Sequence, residues 1–471
     1  MTRTERLVLW IAILASFVAF LDGTVVNVAL PAMQRELGGG LTTQQWIVDA
    51  YLITLGALIL VAGSLSDLFG RILILRIGLV GFGLASVAIA AAPDPLFLIV
   101  ARGVQGIAGA LLVPSSLALI TSTFRGPAQA RAIGIWTSAT TAALLVGPVL
   151  GGAFVDLMSW RLVFLINLLP IAVTLWLLAV LHRPDVRNGD ATVDWAGAVL
   201  CTAGLGGTVF ALIEQDRLGW ADPVIWGSAA VGVAALVGFL VRQARARHPL
   251  MPLDLFRVRN FWTGNVATAF IYGALGISGL VLTVYLQQGA GWGATLAGLA
   301  SLPATIIMIL LSSRIGAMAG RFGPRMFMTV GPLVMAVGMM LLLTVSDHLD
   351  YWLQVLPSIV VFGLGLSITV APLTSAILGS IDPARSGIAS AVNNAVARIA
   401  GLLTVALLGV IAGGALTLTG LHRSAVVTAI MFAVGGVCSL AGIRNPPRAA
   451  APETGGGDTQ VRSDSSDATP S

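Results

Sequence analysis

The chain is 471 residues long, 57% hydrophobic and only 10% charged, with a mean hydropathy of +0.93. These proportions exclude a soluble globular domain and a disordered chain, and they describe a polytopic membrane protein. The net charge of +5 and the pI near 10 come from arginines scattered over many short loops, whereas a nucleic-acid surface would concentrate them.

Windows of about twenty apolar residues match a helix crossing a hydrocarbon core of roughly 30 Å. Fourteen such windows are predicted, at about 7–31, 44–65, 73–92, 96–120, 132–155, 162–181, 193–213, 224–241, 262–287, 294–313, 326–345, 351–379, 387–414 and 424–443. The first follows Arg3 and Arg6, is too long for a signal-peptide core and lacks a small-residue cleavage site, so it reads as a retained span. Asp22 interrupts it. A carboxylate at bilayer depth costs roughly 2.5–3.5 kcal/mol on insertion scales and marks a functional position. Arg102, in the fourth span, is its expected partner.

The sequence has no lysine, so its 26 basic residues are all arginine and can be used to test orientation. With both termini in the cytoplasm, 21 arginines fall on that side, Arg35, Arg161, Arg217 and Arg423 face outward, and Arg102 stays within a span. Arginine in place of lysine, with abundant Ala and Gly, fits a high-GC bacterial genome, and the expected location is a bacterial inner membrane. Cys201 and Cys438 lie in predicted spans without metal-ligand spacing and read as packing residues. His182, His248, His348 and His422 fall in loops or at span ends, which makes them poor proton relays. Glu214, Asp216 and Asp222 read as a solvated loop. The segment from Arg444 onward, rich in Gly, Ser, Asp, Thr and Pro, reads as a disordered cytoplasmic tail.

An internal repeat organises the spans. Gly63-Ser-Leu-Ser-Asp67-Leu-Phe-Gly70-Arg71, after the second span, is echoed 253 residues later by Gly316-Ala-Met-Ala-Gly320-Arg-Phe-Gly323-Pro-Arg325, and Gln105-Gly106-Ile-Ala-Gly109 by Phe362-Gly363-Leu-Gly365 at an offset of 257. Matching the copies pairs spans one to six with nine to fourteen. The fold class is therefore all-α, with two six-helix halves and two central inserted helices. The expected divisions are 1–182 for the first half, 183–260 for the inserted pair and its linkers, 261–443 for the second half and 444–471 for the tail. A substrate site is expected between the halves near midplane.

Four motifs then carry a resemblance. Leu21-Asp22-Gly-Thr24-Val-Val-Asn27-Val-Ala-Leu-Pro31, the loop from Gly63 to Arg71, Arg102-Gly-Val-Gln105-Gly106, and Gly147-Pro148-Val-Leu-Gly151-Gly152 stand in the order found in the major facilitator superfamily. Over residues 1 to about 443 the chain resembles that superfamily's fourteen-span drug:proton antiporters. The resemblance implies a major-facilitator-type fold, multidrug efflux and antibiotic resistance. It implies a latch at Gly63, Asp67, Gly70 and Arg71, and a hinge or seal at Gly147, Pro148, Gly151 and Gly152 that marks exporters. Gly320 stands where the second loop would carry an acid, and Ala143 where the fifth-span motif often has glycine.

Helical rise places Asp22 about nine residues, Arg102 about six and Asp49 about five from the outer ends of their spans, so all three are candidates for proton coupling. A neighbouring guanidinium favours the ionised form of a carboxyl and apolar surroundings favour the neutral one, so Asp22 could alternate between them. A permanent structural ion pair is the competing reading. Asn27, Gln105, Trp136, Phe270, Tyr285, Gln287, Asn393 and Asn394 are candidates for a substrate cavity, each with helix packing as the alternative. With no Walker motif for ATP, the expected function is export of an amphipathic small molecule driven by a proton gradient. Proton-coupled uptake on the same scaffold, or a membrane enzyme or sensor, are the alternatives. No cofactor is expected. The expected partners are substrate, protons and the lipid bilayer, with the chain acting as a monomer.

Overall fold

The computed structural model describes residues 1–181, 185, 192–247, 249–382 and 385–445. His182, His248 and the expected tail from 446 onward lie outside the described residues.

Each predicted apolar window is a helix long enough to cross a membrane. The spans are Arg3–Leu37, Leu41–Phe69, Arg71–Ala90, Pro95–Thr123, Arg131–Leu157, Leu162–Val180, Trp195–Leu218, Pro223–Arg245, Arg259–Gln288, Ala294–Phe322, Pro324–Thr344, Tyr351–Leu378, Gly387–Ala406 and Leu418–Gly442. Hydropathy placed the windows, but caps and polar turns extend the helices past them. A capping box at Thr2 and Glu5 starts span one, and Gly38, with φ 86°, ends it. Three spans are broken where hydropathy alone showed a continuous run. Span six divides at Ile166 and Asn167, span ten at Ser301, and span thirteen at Leu407, after which a short helix, Leu408–Ala412, completes the crossing.

An even number of spans puts both ends of the described chain on one face, the terminal face, opposite a far face. In the first half, span two packs on four, three on four, and one on five. The same pattern recurs in the second half as ten on twelve, eleven on twelve, and nine on thirteen. The halves meet through spans five and ten, two and thirteen, and one and nine. These pairings reproduce the correspondence of spans one to six with nine to fourteen. Small residues make the approaches close, as expected where apolar lipid gives helices no hydrophobic reason to associate. A Cβ on Gly106, for example, would fall 2.4 Å from the Tyr51 carbonyl oxygen.

The repeated loops turn the same way at Gly70 (φ 105°) and Gly323 (φ 88°), a conformation that disfavours a side chain. In each copy a polar side chain from beyond the half's last helix fills the turn. The Asp185 carboxylate accepts from the N–H groups of Ile72 and Leu73, and Asn445 Oδ1 accepts from the N–H of Arg325. Arg444 also exchanges hydrogen bonds with Asn260, so both residues, expected as the start of the tail, pack against the second half.

Spans seven and eight pack on each other. Span seven also lies against spans two and thirteen, one from each half, whereas only 17% of the most apolar window of span eight is buried. Glu214 is not in a solvated loop as expected. It is 8% exposed, accepts from Trp46 Nε1 at 2.8 Å, and pairs with Arg217, because span seven runs further than its apolar window and carries the acid against span two. At the other end of the inserted pair, Asp194 caps span seven and bonds Arg242 and Gln243. Burial alone would raise its pKa, but the Gly197 N–H, Arg242 and Gln243 together hold it below the ordinary 3.8. A depressed folded value gives stability that is complete above the unfolded carboxyl's value and is lost as pH falls through the folded one. Melting of the detergent-solubilised protein is therefore expected to weaken below about pH 4. Asp194→Asn should melt lower at neutral pH and show a flatter acid limb.

Candidate functional site

Asp22 and Arg102 meet in the interior of the first half, 0% and 2% exposed, with Arg102 Nη1 2.6 Å from Asp22 Oδ2. Spans two, three and six supply contacts to the pair and its partners. Gln105 Nε2 and Asn167 Nδ2 donate to Asp22 Oδ1 at 3.0 and 3.2 Å, and Gln105 Nε2 also donates to Ser86 Oγ. Arg102 donates to Gln105 Oε1 and to the Ile47 carbonyl, and its guanidinium lies 4.3 Å from the Tyr51 ring centroid and 5.8 Å from that of Phe164. Spans one, two, three, four and six are joined at one point. Such pairing offsets the large desolvation cost of two buried charges.

Asp49 contrasts with this. It is 0% exposed, and among the described residues neither carboxylate oxygen has a hydrogen-bond partner. Its helical face can be read from its neighbours. Gln45, four residues before it, donates to the carbonyls of Val405 and Ala406, and Gly56, seven after it, lies against Arg398 and Ile399. Residues at this spacing share a side of the helix, so Asp49 stands on the side of span two that meets span thirteen of the other half.

The fifth-span motif sits where the halves press together near the far face. Cβ atoms on Gly147 and Gly151 would strike Thr24 and Val25 of span one, at 2.1 and 2.6 Å. One on Gly152 would lie 2.6 Å from Thr295 Cα, and one on Gly298 would lie 2.4 Å from the Pro148 carbonyl oxygen. Asp156 then accepts from the N–H groups of Ala294 and Thr295 at the start of span ten. Gln287 Nε2 donates to the Val28 carbonyl, and Gln288 Nε2 to Gln34 Oε1. Toward the terminal face these helices separate. Positions beside Gly63, Gly134, Gly320 and Gly387 are open space, and Thr137, Ser138, Ser313 and Asn394 are exposed. Polar side chains left exposed there describe a cleft closed at the far face and open at the terminal one.

In the first loop motif Asp67 and Arg71 form a partly exposed ion pair at 3.2 Å, and Arg71 also donates to the Ala118 carbonyl. Both contacts stay within the first half.

The cavity candidates separate into groups. Asn27 and Phe270 are half-buried, and Asn394 is exposed. Trp136 Nε1 donates to Ser16 Oγ, which ties span five to span one. Asn393 donates to Asn265 and Thr268 within the second half. Gln105 belongs to the ion-pair cluster, Gln287 bridges the halves, and Tyr285, 4% exposed, is packed in the core.

Sequence reasoning passed over three residues. Asn167 and Ser86 are lone polar groups in apolar runs, a signal that was present. Arg398 was counted among 21 cytoplasmic arginines, yet it lies within the span Gly387–Ala406, twelve residues from the first residue of its helix, Ser386. The count falls to 20, still against four on the far side. Among the described residues no group of His, Cys, Asp or Glu is arranged to hold a metal ion.

The family model of the Major Facilitator Superfamily matches residues 12–405. The chain is 35% identical to the puromycin resistance protein pur8 of Streptomyces alboniger, over 85% of this chain and 80% of that one. It is 33% identical to the multidrug resistance protein Stp of Mycobacterium tuberculosis, over 87% and 76%. A crystal structure of a mutant of the peptide transporter POT in complex with sulfate superposes with a TM-score of 0.69 at 16% identity, covering 92% of this chain and 93% of that one. At that identity the likeness speaks for the fold alone.

Proposed function

This chain belongs to the Major Facilitator Superfamily, and on that footing we propose that it is a proton-driven exporter of amphipathic small molecules working by alternating access. It is a transporter and not an enzyme. Relatives named for puromycin and multidrug resistance support export, and the arginine excess supports a cytoplasmic terminal face. The cleft then opens inward, where an exporter collects its substrate.

Asp49 carries the coupling argument. A carboxylate buried without a donor is costly unless it holds a proton, and this one lies where the two halves slide past each other. A proton taken up while the far face is open is carried inward and leaves to the cytoplasm as substrate enters the cleft. Asp22 shares the relay, bonded in this conformation to Arg102, Gln105 and Asn167. Each proton moved inward brings about 2.3 kcal/mol per 100 mV of electrical drive, provided the exchange moves net charge.

The test is efflux from proteoliposomes under an imposed pH gradient, with cationic, neutral and anionic compounds. Substrate-dependent proton movement opposite to substrate is expected. Asp49→Asn loses no hydrogen bond, so it should keep the melting temperature while reducing gradient-driven efflux to the passive rate. Full gradient-driven efflux in that variant would remove Asp49 from the relay.

A further inference from the structure

We propose that Arg398 is the substrate-binding cation of the central cleft and that the transported molecule carries an anionic group, a carboxylate or an acidic phenol, on an aromatic frame. This rests on the export reading above and assigns the chemistry of its substrate.

Three observations converge on Arg398. First, its depth: twelve residues of helix separate it from the start of span thirteen, about 18 Å along the axis, which places it near midplane. Second, its lack of a partner. Among the described residues no carboxylate, carbonyl or amide accepts from its guanidinium, whereas Arg102, the other arginine at membrane depth, has a carboxylate, an amide oxygen and a carbonyl. Third, its surroundings. Arg398 is partly exposed, its Cβ lies 3.7 Å from where a side chain on Gly56 would begin, and its guanidinium carbon is 6.0 Å from the Phe20 ring centroid.

A cation at this depth is retained when something neutralises it. Asp22 is engaged by Arg102, and Asp49, on the side of span two that meets span thirteen, forms no hydrogen bond with Arg398 among the described residues. The open side of the cleft leaves a route for a ligand, and a guanidinium offers a planar fork to a carboxylate or phenolate oxygen. The Phe20 ring of span one stands beside it as a surface for stacking. Arg398 lies on one half and Phe20 on the other, so an anion bound there touches both halves.

The test uses three matched fluorescent probes, pyrenebutyrate, its methyl ester and the corresponding pyrenebutyl trimethylammonium, binding to the purified full-length protein in detergent. The carboxylate is expected to bind at least about tenfold more tightly than the ester. Arg398→Gln should remove that difference while leaving ester affinity and melting temperature unchanged, and Arg398→Lys should restore part of it. Equal affinity for carboxylate and ester, binding of neither, a preference for the cation, or an equal loss for both neutral and anionic probes in Arg398→Gln would overturn the assignment. Binding is read without a gradient. A protein that binds the carboxylate through Arg398 but moves no protons would refute the exporter reading and leave this one standing.

Discussion

Asp22→Asn is expected to abolish gradient-driven transport and to destabilise the protein as well. The substitution leaves the Arg102 guanidinium, 2% exposed, with neutral acceptors alone, amide oxygens and a carbonyl, and two aromatic faces. Removing one member of a buried ion pair costs about 3–5 kcal/mol because the other charge remains. The double variant Asp22→Asn with Arg102→Gln removes both charges, so its melting temperature should recover much of the loss. Transport should not recover, since neither side chain can then exchange a proton. Wild-type efflux under a pH gradient in the folded double variant would make the pair a structural staple of the first half and nothing more. Asp49→Asn supplies the contrast, because its oxygens have no partner to lose.

Gly152→Leu should stop turnover without unfolding the protein. A Cβ there would meet backbone of span ten, 2.6 Å from Thr295 Cα and 2.8 Å from the Ala294 carbonyl oxygen. No rotamer change relieves a clash with backbone, so the halves must part at the far face. Each half keeps its own packing, and helical content and melting should be close to wild type. The population shifts toward the conformation in which spans five and ten are separated, and transport falls at least about tenfold. Spin labels at Gln34 and Gln288, whose side chains bond at 2.7 Å across the closed face, should report a longer distance in the variant. An unchanged distance with normal efflux would show that this contact does not gate the cycle.

These two sites differ in how far the sequence revealed them. Asp22 and Arg102 were legible because a charge in an apolar run is conspicuous and helical rise gives its depth. The contacts that define their chemistry were less so. Asn167 reaches Asp22 from 145 residues away, at a break in span six that hydropathy cannot register because the flanking residues are equally apolar. Arg398 was hidden for a related reason. A window average tolerates one arginine among many apolar neighbours, and counting loop charges swept it into the cytoplasm. Gly152 and Gly298 were visible only as small residues, and which helix each admits is a question of packing partners.

The sequence by itself determined the membrane class, the fourteen crossings, the two matching halves with a pair of helices between them, and the carboxylate and guanidinium at membrane depth. All of these are local or periodic properties, summed over one helix length or read from a repeated motif. Only the tertiary structure decided that, among the described residues, Asp22 is partnered while Asp49 and the Arg398 guanidinium have no hydrogen-bond partner, that the halves close at the far face, and that Asp185 and Asn445 complete the two repeated turns. Those facts depend on which side chains meet across separate helices, and hydrocarbon surroundings make each such meeting, or its absence, count.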